Sequence, residues 1–276
     1  MSNSADTPVV LEDVKGAIAE NPVWYHTIEV APGLVTPGWF DLRPVVERMP
    51  WPDVKGKRCL DVGTYDGYLA FELERRGASE VVATDVLDHE NWDWPARIKG
   101  QGVLALNATG EKGMGFRLAK EILGSKAERR VISVYDLSPE EVGTFDVVVC
   151  GSLLLHLRDP LRALEGIRSV CTGQFMSSEQ VELWTSVLLR RRPLLRVDGV
   201  SQRLNWLLPN VAAHEQMILA AGFDIERRSG MYGIPLGTGH RDAGKRNKEY
   251  LQLLGRRLFA GGQGMPHHAV LARPAA

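Results

Sequence analysis

From residue 58 onward the apolar positions fall into short runs separated by longer amphipathic stretches. RCLDV is a short apolar run that ends at a glycine turn, and YLAFELERRGA after it has helical periodicity that stops at Gly77. EVVATDV is β-branched and ends in an acid. The stretch 91–130 reads as mostly helical, with GFRLAKEILGS its clearest piece, and RRVISVYDL reads as the next strand. FDVVVCGSLLLHL is a buried strand followed by a turn. DPLRALEGIRSVC is a helix led by Asp159 and Pro160, a suitable N-cap and first-turn pair. GQFMSSEQVE reads as a strand, LPNVAAHEQMILAAGF as a helix, and DIERRSGMYGI and PHHAVLARP as two closing strands.

Continuous apolar strands between helices predict a parallel sheet covered on both faces. Right-handed crossovers make it doubly wound. The closing strands, separated by the basic helix GKRNKEYLQLLGRRL, predict an antiparallel addition at the end of the sheet. The expected fold class is α/β: a doubly wound, Rossmann-like, mostly parallel seven-stranded sheet with an antiparallel last strand. Residues 1–56 are expected to form a helical and aromatic leader that packs on the main domain, with a short helix around Leu42–Arg48. Residues 57–276 are the main domain, with a helical insert near 238–260.

Composition adds bounds. The 276 residues are 44% hydrophobic and carry a net charge of -1, which suits one large α/β domain and gives no global field toward nucleic acid or membrane. Charge is uneven, however: residues 151–276 hold 17 Lys/Arg against 10 Asp/Glu. Such asymmetry fits either a surface for an anionic ligand or a chance excess on solvated helices. Cys59, Cys150 and Cys171 make no even framework and no CxxC pair, which points to a reducing compartment. No apolar run approaches the roughly 18 residues that span a bilayer, and the N-terminus has no apolar signal core. A cytoplasmic protein without a membrane partner is expected. His240, His267 and His268 have no metal-ligand spacing, so no metal is expected either.

The candidate chemistry begins in CLDVGTYDGYLAFEL. Asp61 ends a strand, and Gly63 and Gly67 bracket the turn that contains Thr64 and Asp66. Ligands of such sheets bind beyond the carboxyl ends of the strands. Glycine permits close backbone approach and positive φ. Asp61 and Asp66 would repel a pyrophosphate and welcome a cation, and the spacing lacks the G-x-G-x-x-G fingerprint of dinucleotide enzymes. Asp85, followed by Val86, ends the second strand roughly 20 residues on, where an acid holds ribose hydroxyls; a solvated strand-end acid is the other reading. Asp136, read at the end of the third strand, fits a hydrogen bond from an adenine amino group with Leu137 packed on the ring. A cap leading into Ser138-Pro139-Glu140 is the other reading.

With these acids on three successive strands, the chain resembles class I methyltransferases dependent on S-adenosylmethionine (SAM). Within that class it resembles the family around the tRNA wobble-uridine (carboxy)methyltransferases. LDVGTYDGY, FDVVVCGSLLLHLRDPLRAL, RLNWLLPNVAAHEQMILAAGF and the leader segment VTPGWFDLR carry the likeness, which covers 58–180 clearly and the tail loosely. It implies SAM as cofactor, held by Asp61, Gly63, Thr64, Asp66, Gly67, Asp85, Val86, Asp136, Leu137, Gly151 and Ser152. Two departures stand out. Tyr65 occupies the place of the usual second glycine, so this turn must carry a Cβ and a ring. Leu155 precedes His156 where carboxymethyl-transferring members have a tyrosine; Arg203 fits their arginine, but the leader offers no matching lysine. Ordinary SAM is therefore expected over carboxy-SAM.

On the acceptor side, His156 follows the fourth strand. It fits a general base working near neutral pH, or a structural histidine that orders Arg158-Asp159. His26 and Trp39, with Trp24, Tyr25 and Phe40, fit a lid over the cofactor or an aromatic staple onto the sheet. Arg203, Asn205 and Trp206 fit acceptor binding, against core packing of Trp206 with an Asn210 cap. Arg190–Arg192, Arg196 and the Lys245–Lys248 stretch fit phosphate contacts or solvated faces. The expected function is methyl transfer from SAM to a small-molecule acceptor, at a hydroxyl oxygen. The alternatives are tRNA wobble-uridine modification with SAM or carboxy-SAM, and a non-catalytic SAM-binding protein.

Overall fold

The computed structural model describes residues 11–97, 112–200, 205–240, 258–260 and 264–276. The chain opens with helix α1 (Leu11–Glu20) and four short strands: β1 (Trp24–His26), β2 (Glu29–Ala31), β3 (Leu34–Val35) and β4 (Gly38–Phe40). β1 pairs parallel with β4, and β2 with β3 antiparallel. Gly38 permits the first pairing, since a Cβ there would lie 2.1 Å from the His26 carbonyl carbon. The helix expected around Leu42–Arg48 shortens to one 3-10 turn, Val46–Arg48; Pro44 leaves too short a run for an α-helix.

The apolar runs then form five parallel strands: β5 (Arg58–Val62), β6 (Glu80–Asp85), β7 (Glu128–Val131), β8 (Phe145–Gly151) and β9 (Cys171–Gln180). Between them lie helices α2 (Tyr68–Arg75), α3 (Met114–Leu123), α4 (Pro139–Val142) and α5 (Pro160–Val170). The Asp159 side chain caps α5 by accepting from the Arg162 N–H, as the Asp-Pro pair predicts. After β9 come α6 (Leu183–Leu188), the antiparallel pair β10 (Leu195–Val197) and β11 (Leu207–Pro209), and α7 (Val211–Ala220).

The predicted closing strand over DIERRSGMYGI is two strands, β12 (Phe223–Arg228) and β13 (Tyr232–Ile234). Both pair antiparallel with β14 (Met265–Pro274), which also runs antiparallel to β9. The sheet order is β12-β14-β9-β8-β5-β6-β7, with β13 as a short eighth strand on β14. Strand order reverses between β5 and β8, so that is the switch point where a ligand crevice opens. The helical insert expected near 238–260 falls almost entirely outside the described residues.

Alternation along the strands divides the core between two faces. Cys59, Val81, Val147 and Val149 pack with α1, α2, α3 and leader residues such as Trp24, Ile28 and Leu42. Leu60, Val62, Val82, Val148 and Cys150 pack with α5 and α7. All three cysteines are free and buried. A polar chain crosses the second layer: His214 Nε2 meets Ser177 Oγ at 2.9 Å, and His214 Nδ1 meets His268 Nδ1 at 3.1 Å. Burial holds both imidazoles below the ordinary histidine range, so they stay neutral and one donates to the other.

Leader and sheet meet at one carboxylate. Asp66 is buried and accepts from the backbone N–H groups of Tyr25 and His26. Asp66→Ala leaves both amides unpaired and should lower unfolding stability by about 2–4 kcal/mol. Urea denaturation measures this, and tryptic cleavage at Arg43 or Arg48 should accelerate; an unchanged midpoint would refute the staple.

Candidate functional site

The turn after β5 is shaped by positive φ at Gly63 (76°), Tyr65 (47°) and Gly67 (91°). Gly67 must be glycine: a Cβ there would lie 2.7 Å from the rings of Phe71 and Phe116. Tyr65 is the one residue other than glycine with positive φ among the described residues. A left-handed conformation costs a residue with a Cβ roughly 1–2 kcal/mol. Compensation is visible. The Tyr65 N–H donates to Asp85 Oδ2 at 2.9 Å, its hydroxyl meets His89 Nε2 at 3.1 Å, and its ring lies 5.1 Å from that of Tyr25.

Four strand ends converge on this turn. Asp61, in β5, is 1% exposed and its Oδ2 has no hydrogen-bond partner. Burial, with the Asp85 charge adding to it, pushes its carboxyl up to about 7. Thr64 is buried beside it, and its hydroxyl and the Ala70 N–H oppose that rise without reversing it. Asp85, at the end of β6, accepts from the Tyr65 and Val86 N–H groups and pairs with the Lys112 ammonium. Lys112 also sits 5.5 Å from the Tyr65 ring centre and 5.4 Å from that of Trp92. At the end of β8, Gly151 lies against β9 so closely that a Cβ would stand 2.7 Å from the Ser178 carbonyl oxygen. The Ser152 hydroxyl donates to that same oxygen at 3.2 Å.

Glu179, near the end of β9, completes the edge. It is fully buried, and its Oε1 accepts from the N–H groups of Leu153 (3.0 Å) and Leu154 (3.2 Å). Its Oε2 has no partner, and burial raises the carboxyl to about 7. Asp66 is likewise raised to about 7 by burial, against the opposing N–H groups of His26 and Tyr25. The chemistry of this edge is therefore anionic and poorly compensated, suited to a ligand that brings a cationic group and hydroxyls.

A family model described as a methyltransferase domain matches residues 41–227. The chain belongs to that family. Among relatives of this methyltransferase, the ubiquinone biosynthesis O-methyltransferase of Acinetobacter baumannii (strain ACICU) is 25% identical over 201 residues, 68% of this chain and 75% of that protein. The tRNA U34 carboxymethyltransferase of Ectopseudomonas mendocina (strain ymp) is 26% identical over 178 residues, 63% of this chain and 47% of that protein. Among solved structures, the N-terminal domain of EvdMO1 in the presence of SAH and D-fucose has a TM-score of 0.54 at 15% identity, covering 97% of this chain and 98% of that one. The [4+2]-cyclase SpnF scores 0.51 at 16% identity, covering 97% and 94%. At such identities these likenesses concern the fold alone.

The sequence-predicted residues of this methyltransferase distribute unevenly. Asp61, Gly63, Thr64, Asp66, Gly67, Asp85, Val86, Gly151 and Ser152 lie together at the carboxyl edge. Within that group Asp66 turns its carboxylate to the leader backbone. Asp136 does not end a strand: β7 stops at Val131, and Asp136 lies exposed in a 3-10 turn, Val134–Asp136. Leu137 is core, packed with Val134 and Val142. That segment turns early because the Ser133 hydroxyl accepts from the Tyr135 N–H and begins the turn.

His26 is buried, its Nδ1 has no partner, and its ring lies 5.8 Å from Tyr68 of α2; burial lowers its imidazole to about 3. Trp39 is half-buried, 6.0 Å from the Tyr25 ring. His156 is half-buried in the 3-10 turn Leu154–His156, which Glu179 anchors through Leu154. Asn205 is buried, and the Trp206 N–H donates to the Leu155 carbonyl at 2.8 Å, which brings this stretch to the His156 turn. Asn210 caps α7, as the competing sequence reading has it. Arg203 lies outside the described residues.

Glu179 and Lys112 were absent from the predicted site. Glu179 carries the same strand-end signal as Asp61 and Asp85, in SSEQ; Lys112 has no sequence signal at all.

The buried Asp61 carboxyl has a measurable signature. Unfolded, it ionises near 4; folded, near 7. Its folded form therefore loses stability as pH rises from about 4 to 7, and the full penalty stands above 7. Asp61→Asn should raise the stability of the ligand-free protein by on the order of 2–4 kcal/mol at pH 8, and much less at pH 5. Chemical denaturation at the two pH values tests it; a pH-independent difference would place the carboxyl outside a buried, unpaired setting.

Proposed function

We propose that this methyltransferase moves a methyl group from SAM to a hydroxyl oxygen of a small-molecule acceptor. The methyl donor is S-adenosylmethionine. The observation that carries the site assignment is the orphaned Asp61 oxygen beneath the Gly63–Gly67 turn: it suits the ammonium of a methionine moiety. Arrival of that cation would return Asp61 toward ordinary ionisation. Asp85 suits the ribose hydroxyls while sharing one oxygen with Lys112. Asp136, exposed beyond β7, would accept from the adenine amino group.

When bound, SAM supplies a methyl group made electrophilic by its sulfonium. The protein's part is alignment and proton removal. His156 would take the acceptor hydroxyl proton, freeing an oxygen lone pair for the methyl group that SAM would supply, with the S–CH3 bond pair left on the sulfur. Glu179 acts as a positioning residue, since it holds the backbone of the turn that carries His156. The leader, residues 1–56, is read as part of the same catalytic unit, with Tyr25 and Trp39 forming a wall over the turn. A hydroxyl acceptor is supported by the O-methyltransferase relatives, which match over 75% of their length.

Wobble-uridine modification is the second reading, supported by the relatives of that name. It is disfavoured by the net charge of -1 and by the buried Leu155, which stands where carboxymethyl-transferring members have a tyrosine.

Calorimetric titration with SAM, carboxy-SAM and NAD in parallel tests the donor; binding of SAM near micromolar is expected, about -8 kcal/mol. Preference for carboxy-SAM would move the tRNA reading to first place, and binding of NAD alone would sink both. Asp85→Ala should weaken SAM binding by roughly 1–3 kcal/mol. His156→Ala should reduce S-adenosylhomocysteine release in an acceptor screen far more than it weakens SAM binding. Equal turnover would return His156 to a structural role.

A further inference from the structure

The segment between α6 and α7 has a surface that the methyl-transfer site does not use. In Leu188–Val200 six large apolar side chains are exposed: Leu188 (73%), Leu189, Leu194, Leu195, Val197 (75%) and Val200 (67%). Arg190, Arg191, Arg192 and Arg196 are exposed among them. The sequence holds no acid between Glu182 and Asp198, and among the described residues no carboxylate pairs with these arginines. Exposed apolar side chains are ordinary when scattered; six of them in thirteen consecutive residues are not.

The segment is a built arm rather than a loose loop. Fully buried Asn210 fixes its root: its Oδ1 accepts from the Leu194 N–H at 3.1 Å, and its Nδ2 donates to the Arg192 carbonyl at 2.8 Å. Beyond that root, β10 pairs with β11, yet all three β10 residues are exposed, so side chains on both faces of that strand reach solvent. The arm returns through Trp206, which touches the His156 turn and lies under the Arg158 guanidinium at 5.0 Å.

We propose that this arm docks the protein on an anionic lipid surface, with Leu188, Val197 and Val200 entering the headgroup layer and Arg190–Arg192 and Arg196 meeting the lipid phosphates. A strand exposed on both faces is buried by a medium that surrounds it, not by a partner that covers one side. Arginines interleaved with apolar side chains match an interface that is apolar below and anionic above. A nucleic-acid backbone would satisfy the arginines and leave the leucines and valines in water. A second copy of the chain would set four unpaired guanidinium groups against four more.

The test is co-sedimentation of the full chain with vesicles of phosphatidylcholine alone and of phosphatidylcholine with phosphatidylglycerol. Binding is expected only to the anionic vesicles, falling with added salt. The double variant L188E/V197E and the triple variant R190Q/R191Q/R192Q should each weaken it by roughly tenfold or more. SAM affinity and thermal midpoint should stay unchanged in both, so failure of this proposal and failure of the cofactor reading are separable. Three outcomes would overturn it. The first is wild-type protein that ignores anionic vesicles. The second is equal binding by the double variant. The third is a wild-type dimer in sedimentation equilibrium, or salt-sensitive tRNA binding, that accounts for the arm instead.

Discussion

A carboxylate buried under the turn after the first core strand joins the halves of this molecule. Asp66 accepts from two leader amides some forty residues away in sequence. On its other side α3 approaches so closely that a Cβ at Gly115 would lie 2.5 Å from Asp66 Oδ1. Leader and turn are therefore joined through one acceptor, and α3 packs directly against it. That contact brings Tyr25 across the turn onto Tyr65, and through Tyr65 onto His89 and the Asp85–Lys112 pair. Placement of the aromatic wall is a consequence of where a single buried oxygen finds its donors.

Carboxyls at this edge are balanced unequally. Lys112 neutralises Asp85, whereas no Lys or Arg among the described residues pairs with Asp61 or Glu179. Burial holds those two near 7, so each is poised between a proton and a cationic partner. An edge with two such buried carboxyls is less stable than one with neutral side chains in their place. The two orphaned oxygens also separate the roles of the acids. Asp61 lies beneath the turn at the switch point, while Glu179 divides its carboxylate between anchoring the His156 turn and an unused oxygen.

Much of the fold was legible beforehand because its signals are local. Apolar runs, glycine stops and the Asp159-Pro160 cap each act within a few residues, and β5, β6, β8, β9, α2, α5 and α7 follow them. Expectation and structure part where a local rule meets a competing one. RRVISVYDL has strand composition throughout, yet a serine-capped turn ends β7 at Val131 and leaves Asp136 exposed. DIERRSGMYGI breaks at Ser229–Met231 because both of its halves find a place along the one long β14.

By itself, then, the sequence determined the doubly wound sheet, the turn between Gly63 and Gly67 and the strand-end acids Asp61 and Asp85, since periodicity and turn chemistry depend on neighbours along the chain. Only the tertiary structure decided which acids are paired and which are orphaned, that Asp66 serves the leader, that Glu179 belongs to the edge, and that the leucines and arginines of Leu188–Val200 stand in solvent. Burial and hydrogen-bond pairing are set by groups distant in sequence and adjacent in space, and no spacing along the chain encodes them.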